Sequence, residues 1–576
     1  MQIKLVNPNY TENYLENLLH YRGVVDIDEF LNPTEDLLSD PRLFKNISPA
    51  ATAYKIALDT GKPIALIADS DCDGFTSAAI FYIYTKRLYP ETEIDYFLHT
   101  KKQHGLEDMW EEIIESDKDY CLVVCPDSSS NDYEYHEKIY KEKGCCTLVL
   151  DHHELDIEIS NSAFVVNNQI SPDYKNKELT GAGVTYQFCR YLDQINGTNY
   201  VEDLIDLAAL GICGDMGSVL ELENRYFMKT GFNNIKNKFF KALVEKQDYS
   251  MGSVVNPTTV AFYIVPLINA MIRVGTQEEK ERMFLAFIDG DRMVPCNKRG
   301  AKGTMERVCV ESARECTNAR NRQNKLLETN TEKLEMRIHK LGLLENKILI
   351  IPLEDDDDFP SEINGLLCMR LSAKFKKPTI IVRLNDEGYF RGSMRGVNNS
   401  PLANFKQFLT DSGLFEYVSG HANAAGTSFR EEALDSVNEY ANEELVDIDF
   451  GEAYYDVNFI RSAVDEDVKD IIFDVGKYPE VWGQNCPEDK IFIKDINVTP
   501  QEIQVIGARK DTLKIEKFGV TYIKFFAKDL IQELSEYSGD IKLNIVGHAN
   551  INTWGNRTTP QLFIDAYEVL DGQYGF

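Results

Sequence analysis

The chain has 576 residues, of which 43% are hydrophobic and 27% charged; that length exceeds one hydrophobic core, and the composition excludes collagen-like and disordered classes. A formal net charge of −32 excludes a protein that coats nucleic acid non-specifically, since such proteins are basic, but it suits a carboxylate-rich metal site or an enzyme with a local basic groove. Twelve cysteines include no C-x-x-C pair, so neither a structural zinc site nor a disulfide framework is expected.

No apolar run is read as long enough to cross a bilayer. The N-terminus "MQIKLVNPNYTENYLENLL" lacks the continuous apolar core of a signal peptide, so a cytoplasmic location without membrane contact is expected. Residues 1–60 read as a helical preamble. "KPIALIADSDCDGFTSAAIFYIYTKRL" then gives a short apolar strand, an acidic turn and an amphipathic helix. The same rhythm recurs in "DYCLVVCPDSSSND", "CCTLVLDHHELD" and "SAFVVNNQ". Strands alternating with helices predict an α/β fold with a parallel, doubly wound sheet. In such sheets ligands collect at the carboxyl ends of the strands, where these polar clusters fall.

"EDLIDLAALGICGDMGSVL" reads as a helix entering another polar turn. A breaker-poor stretch from Gly303 to Leu341 predicts one long helix. With the preceding "KRGAK", its first half carries Lys298, Arg299, Lys302, Arg307, Arg314, Arg320, Arg322 and Lys325. This is the one obvious basic run in an acidic chain; it reads either as a nucleic-acid path or as a solvated helix. A second α/β unit begins at "NKILIIPL" and continues through "KPTIIVRL" and "GYFRGSMRG" to "SGHANAAGTSF". The final ninety or so residues are short alternating strands with one inserted helix, which predicts an OB-like β-barrel. Tyr522, Phe525, Phe526 and Trp554 are its candidate stacking aromatics.

Four polar ends carry the chemistry: Asp69, Asp71 and Asp73 in "DSDCDG", Asp127 in "VVCPDSSS", Asp151, His152 and His153 in "LVLDHHELD", and Asp215 in "GICGDMGS", counted as a fourth strand end. Gly74 is read as the turn residue of the first. An isolated aspartate at a strand end is usually a helix cap. Several together, joined by imidazole in a chain with only nine histidines, suit Mn²⁺ or Mg²⁺. Two such ions lower the pKa of a water and clamp both oxygens of an in-line phosphoryl displacement.

"ADSDCDGFTSAA", "LVLDHHELD" and "GICGDMGSV" resemble motifs I, III and IV of the DHH phosphoesterase superfamily, and "VVCPDSSS" stands at motif II. "ELTGAGVTYQFCRYL", "VPLINAMIRVG", "SEINGLLCMRLSAKFKKPTIIV", "SGHANAAGTSF", "GARKDTLKI" and "NTWGNRTTPQL" extend the resemblance over nearly the whole chain, to the RecJ-like 5′→3′ exonucleases specific for single-stranded DNA. A divergent, phage-encoded member would fit. The resemblance implies a DHH catalytic domain with a helical extension (1–300), a connecting helix (301–342), a DHH-associated domain (343–450), a linker (451–486) and an OB-like domain (487–576).

It also implies roles for individual residues. Asp71, Asp73, Asp127, His152 and Asp215 would hold two divalent ions, Mn²⁺ or Mg²⁺, with Asp69 in or beside the shell and Asp127 bridging. His153 would touch the scissile phosphate, Asp151 would orient the imidazoles, and His421, after Gly420, would stabilise phosphate charge. Ser393 and Arg395 would bind the terminal 5′-phosphate, with Asn269, Arg273 and Arg370 positioning the strand. The substrate implied is single-stranded DNA, cut to nucleoside 5′-monophosphates by a monomer in repair, recombination or replication, with a single-strand-binding protein or repair helicase as recruiter.

The family pattern is altered in four places. "SSSND" follows Asp127, Ser419 replaces the first glycine of G-G-H, and Leu267 replaces an arginine. "HTKKQHGL" lacks the loop arginine, for which Lys101 or Lys102 would substitute without its bidentate fork. Two other readings compete: a phosphodiesterase of short oligonucleotides or cyclic dinucleotides, and a DHH-fold replication scaffold with little catalysis.

Overall fold

Four of the five strands of the first sheet are apolar runs with no charged residue inside them, because strands covered by helices on both faces have no polar side to present; the edge strand Ile94–Leu98 carries Asp95. The computed structural model describes all residues except 8–9, 102, 156, 355–358, 555–556 and 575–576. It divides into two units, one of Asp26–Gln323 with Glu480–Pro487 and one of Met1–Val25, Asn324–Pro479 and Glu488–Phe576.

In the Asp26–Gln323 unit, the strands Ile64–Ala68, Ile94–Leu98, Leu122–Pro126, Cys146–Asp151 and Ala163–Asn167 pair in parallel. Their spatial order is second, first, third, fourth, fifth. Ile64–Ala68 and Leu122–Pro126 are buried at every residue. One face packs Ala65, Ile67, Val123, Cys125 and Val149 on Leu106, Met109 and Ile113. Elsewhere in the unit Tyr54 meets Phe81 and Phe188 edge-on, and Phe284 covers Phe75 and Tyr96. Each such ring contributes about 1.5–3 kcal/mol through burial.

The expectation that no apolar run reaches bilayer length is corrected by Pro257–Val274, an 18-residue helical stretch of mean hydropathy 1.4. Half of it is buried within the protein, with Ile264, Leu267, Ile268 and Met271 in the core. Interior helices and membrane helices are apolar for the same reason.

The other unit holds a five-stranded sheet. Phe415–His421, Ala424–Arg430, Tyr389–Arg395 and Thr379–Leu384 pair antiparallel, and Leu349–Leu353 joins in parallel. Ile350, Ile380, Val382, Phe390, Met394 and Phe429 form its core. A seven-stranded sheet is built on the long pair Tyr537–Trp554 and Arg557–Tyr574, with the helix Lys528–Leu534 inserted before it. This is the β-rich, OB-like C-terminal region. Tyr522 is fully buried there and belongs to the core, whereas Phe525 and Phe526 are exposed; the side chain of Trp554 lies outside the described residues.

The long helix is present as Val308–Lys340. Two other boundaries differ from expectation. The chain begins with a strand, Gln2–Leu5, that pairs in parallel with Tyr454–Val457. Arg22 binds buried Asp489 at 2.6 Å, so the first 25 residues belong with the C-terminal half and not with the catalytic extension. The supposed linker carries two strands and the helix Val468–Gly476, whose Val468, Ile471, Ile472 and Val475 are buried. Both pairings join residues some 450 positions apart, and no local pattern signals such contacts.

Candidate metal centre

The spatial order of the parallel sheet reverses between its first and third strands, and the loops leaving those two strands open a crevice there. Asp69 follows Ile64–Ala68 and Asp127 follows Leu122–Pro126. With Asp71 they bring three carboxylate oxygens within 4.8 Å of one another. Two further groups of the same compactness adjoin: Asp73 with His152 and Asp215, and Asp127 with Asp151, His152 and His153. Asp127 and His152 each belong to two groups, so the three form one continuous cluster within a single unit.

Local structure aims each group. Asp71 caps the helix Cys72–Leu88 by accepting from the Gly74 N–H at 2.9 Å, so the cap reading and the cluster reading both hold for it. Asp73 sits in the first turn, where one oxygen accepts from the Thr180 hydroxyl at 2.9 Å and the Ala182 N–H at 3.0 Å. Gly74 lies inside the helix and does not turn the chain. Its lack of a side chain admits Asp69, whose Cβ would be 2.5 Å from an added methyl. Asp127 adopts a left-handed backbone, φ 69°, a conformation rare outside glycine and tolerated by aspartate. Asp215 is delivered by the carboxyl end of the buried helix Ile205–Gly214 and not by a strand, which corrects its count as a fourth strand end. An apolar run of this length is compatible with either element.

His152 Nε2 lies 3.2 Å from Asp127 Oδ1 and 3.4 Å from Asp215 Oδ2. Asp73 Oδ2, Asp127 Oδ1 and His152 Nε2 are buried without a hydrogen-bond partner. Unsatisfied buried polar atoms are costly, and three converging in one place fit a cation that would use them. The donor set, carboxylate oxygen with one imidazole nitrogen, fits Mn²⁺ or Mg²⁺.

The electrostatics agree. Burial, then the neighbouring Asp73 and Asp71, pushes Asp215 up to about 8. Burial, then Asp73 and Asp71, also raises Asp127 well above the usual carboxylate range. Carboxylates so crowded favour their neutral form until a positive charge joins them. Burial lowers the pKa of His152, leaving a neutral imidazole able to ligate.

His153 is in the opposite state. Burial opposes its charge, but the hydrogen bond from its Nδ1 to Asp151 Oδ1 at 2.7 Å and that carboxylate's charge prevail, raising it to about 9. Asp151 is saturated. It also accepts from the His152 N–H at 2.7 Å and the Ser130 N–H at 3.0 Å, which makes it an orienting group. The "SSSND" segment belongs to the same network: Asn167 donates to Ser130 Oγ and to the His153 carbonyl, and Asp132 accepts from the Leu106 N–H.

Asp69 faces a different set of partners. Its Oδ2 is 2.5 Å from His104 Nδ1, its Oδ1 accepts from the Gly105 N–H at 3.0 Å, and buried His99 lies 3.9 Å away. The loop "HTKKQHGL" thus meets the cluster through histidines; Lys101 is exposed and Lys102 lies outside the described residues. The resemblance gives His99 and His104 no role, and their signal in the sequence is two imidazoles in the loop that follows a strand end. Gly211 was also missed: a methyl there would lie 2.3 Å from Asp73 Oδ1.

The remaining expected residues fall elsewhere. Asn269 and Arg273 are on the helix Val265–Val274 of the same unit, with Asn269 Oδ1 buried and unsatisfied. Ser393, Arg395, Arg370, Gly420 and His421 are in the other unit. Arg395 is largely buried against Gly365, where a methyl would lie 2.6 Å from Nη2. Gly420 has φ 131° and precedes exposed His421.

Residues 63–212 match the DHH family, N-terminal domain. Over 577 aligned residues the chain is 33% identical to a Bacillus subtilis (strain 168) protein named as an SPbeta prophage-derived single-strand DNA-specific exonuclease, YorK, covering 99% of this chain and 98% of that one. The RecJ of the same organism, named as a single-stranded-DNA-specific exonuclease, is 24% identical across 94% of this chain and 66% of its own length. In fold, Thermus thermophilus RecJ solved with Mn²⁺ gives a TM-score of 0.70 at 19% identity, covering 100% of this chain and 80% of that one. The Mg²⁺ form gives 0.64 at 19% identity, with coverages of 100% and 79%. The chain belongs to the DHH family, among the RecJ-like single-strand-DNA exonucleases.

Proposed function

We propose that the protein hydrolyses single-stranded DNA from its 5′ end to nucleoside 5′-monophosphates, using two divalent cations, Mn²⁺ or Mg²⁺. The observation that carries this reading is the convergence of unsatisfied Asp73 Oδ2, Asp127 Oδ1 and His152 Nε2 in one buried cluster. Asp71, Asp73, Asp127, His152 and Asp215 would hold the cations, with Asp127 shared. Bound there, they would supply Lewis acidity and a water of lowered pKa.

The chain's own groups do the rest. Asp151 holds the His153 imidazolium in a fixed orientation, where its positive charge suits a phosphate oxygen. Asp69 fixes the loop carrying His104 and Gly105 at the rim of the cluster. Ser393 and Arg395 would bind the terminal 5′-phosphate and so set polarity, with His421, Arg370, Asn269 and Arg273 as further contacts to the strand. Exposed Phe525 and Phe526 offer faces for stacking bases.

The test is digestion of 3′-labelled single-stranded DNA with Mn²⁺, Mg²⁺ or chelator, with Asp71→Ala as control. A ladder shortening from the 5′ end, dependent on metal and absent from the variant, is the expected result. An intact strand under every condition overturns the reading and directs attention to dinucleotide substrates or a scaffold role.

A further inference from the structure

The basic run noted in the sequence is not one surface in the folded chain. Arg314 is consumed by Glu306 and Glu311, Arg322 by Glu279, and Arg320 hydrogen-bonds Gln323. Arg307 lies 3.8 Å from Asp291. Lys298, Arg299, Lys302 and Lys325 remain, all exposed, with no carboxylate within 4.0 Å among the described residues; Lys325 lies far along the helix, and the other three stand together. They sit within five positions at the tip of a hairpin whose arms are Met293–Pro295 and Met305–Arg307.

The hairpin is built to hold that charge outward. Its neck closes through the Cys296 N–H to Thr304 carbonyl bond at 2.7 Å. Gly300 and Gly303, at φ 86° and 93°, make the tight turns. At the root, the Asn297 N–H donates to Glu311, which is wholly buried and bound by Arg314. Arg314 also donates to Glu306 at 2.9 Å and holds that carboxyl below its usual range. Glu306 and Glu311 at the root are thus engaged by Arg314 from behind, and none of the three tip cations is spent on them. In the register of the arms, half-exposed Met293 and Met305 share the outward face with Arg307, so apolar surface adjoins the charge.

We propose that this hairpin is a docking surface for the phosphate backbone of single-stranded DNA, with Lys298, Arg299 and Lys302 as its contacts. The choice of a DNA strand as occupant rests on the exonuclease reading. Charge complementarity selects a polyanion, since an isolated cationic tip on a chain of net charge −32 is where a strand meets least repulsion. Its position says which substrates feel it. The helix Gln277–Ile288 runs between the two places: near one end, Lys280 donates to the carbonyls of His99 and Thr100 beside the cluster, and its other end leads into the hairpin. From Lys280 to Ile288 the helix rises about 12 Å, and the arm Met293–Pro295 carries the chain on to the tip. Engagement of both places is expected of a long strand and not of a trinucleotide.

The experiment is binding of a long oligothymidylate and of a trinucleotide, in chelator so that nothing is cut, as a function of salt. Replacing the three residues by alanine (Lys298→Ala, Arg299→Ala, Lys302→Ala) should make the slope of log K against log salt shallower by about 2 for the long strand, leave trinucleotide binding unchanged, and keep the melting temperature. The triple glutamate variant should weaken long-strand binding further. An unchanged slope overturns the proposal and leaves the tip to an acidic protein surface; equal losses on both ligands also overturn it. The nuclease reading fails separately, if wild-type protein with Mn²⁺ releases no nucleotides while the difference in slopes persists.

Discussion

Two carboxylate clusters in the same unit meet the same geometric description and differ in what fills them. Asp69, Asp71, Asp73, Asp127, His152 and Asp215 form one; Cys296, Glu306 and Glu311, with ligand atoms within 4.8 Å of one another, form the other. In the second, the Arg314 guanidinium already occupies the centre and bonds both glutamates and Cys296 Sγ. In the first, no lysine or arginine enters among the described residues, and three buried ligand atoms have no partner. Proximity of acidic groups therefore does not mark a metal site. What sets the first cluster apart is a deficit of positive charge together with unsatisfied, convergent atoms, which a cation would answer.

The largest effect that tests this contrast is on activity. Asp127→Asn keeps a residue that tolerates the left-handed backbone at that position but removes the carboxylate that the two proposed cations would share. Cleavage in Mn²⁺ should fall by about 10³-fold or more, while the metal-free melting temperature stays level or rises because a crowded carboxylate is gone. Retained activity would show that the cluster is no more a metal centre than its neighbour.

Arg314→Met probes the other cluster. It strands two carboxylates beside Arg314's former place and should cost about 3–5 kcal/mol of stability, read by denaturant unfolding, with the metal dependence of any surviving activity unchanged. A shift in metal requirement would erase the distinction. Gly211→Ala is the next smaller change: a methyl 2.3 Å from Asp73 Oδ1 and 2.4 Å from the Ala182 Cβ should cost about 1–3 kcal/mol through overpacking and weaken Mn²⁺ binding by calorimetry, because it displaces the Asp73 carboxylate proposed to hold the cation.

The smallest effect at neutral pH concerns His136, which sharpens the contrast from another side. Its two ring nitrogens are also buried and unsatisfied, but among the described residues it joins no compact group of carboxylates. Burial holds it at about 4 against 6.5 in the unfolded chain. The unfolded state thus binds the extra proton between those values, so stability is complete above pH 6.5 and declines as pH falls toward 4, by about 3 kcal/mol. His136→Leu should flatten that decline in acid unfolding; an unchanged profile would show that His136 does not set it.

Much of this was legible in one dimension, for identifiable reasons. A buried parallel strand is a continuous apolar run, so "ALIAD", "VVCPD" and "LVLDHH" announce both a strand and the polar group at its end. The clustering of Asp71, Asp73, Asp127 and His152 followed from that topology, since such strand ends open on one edge of the sheet; Asp215 arrives from a helix end instead. The opposite electrical states of the adjacent His152 and His153 did not follow. They depend on Asp151, which bonds the His153 ring and only the backbone of His152.

The linear sequence thus determined the composition of the cluster and the α/β fold that gathers it. The tertiary structure decided the rest: that the first strand pairs with Tyr454–Val457, that Asp69 is met by His104, and which basic residues keep their charge. Pairing between distant residues and neutralisation by a neighbour are properties of positions in space, and only folding brings Arg314 to Glu306 or leaves Lys298, Arg299 and Lys302 uncompensated.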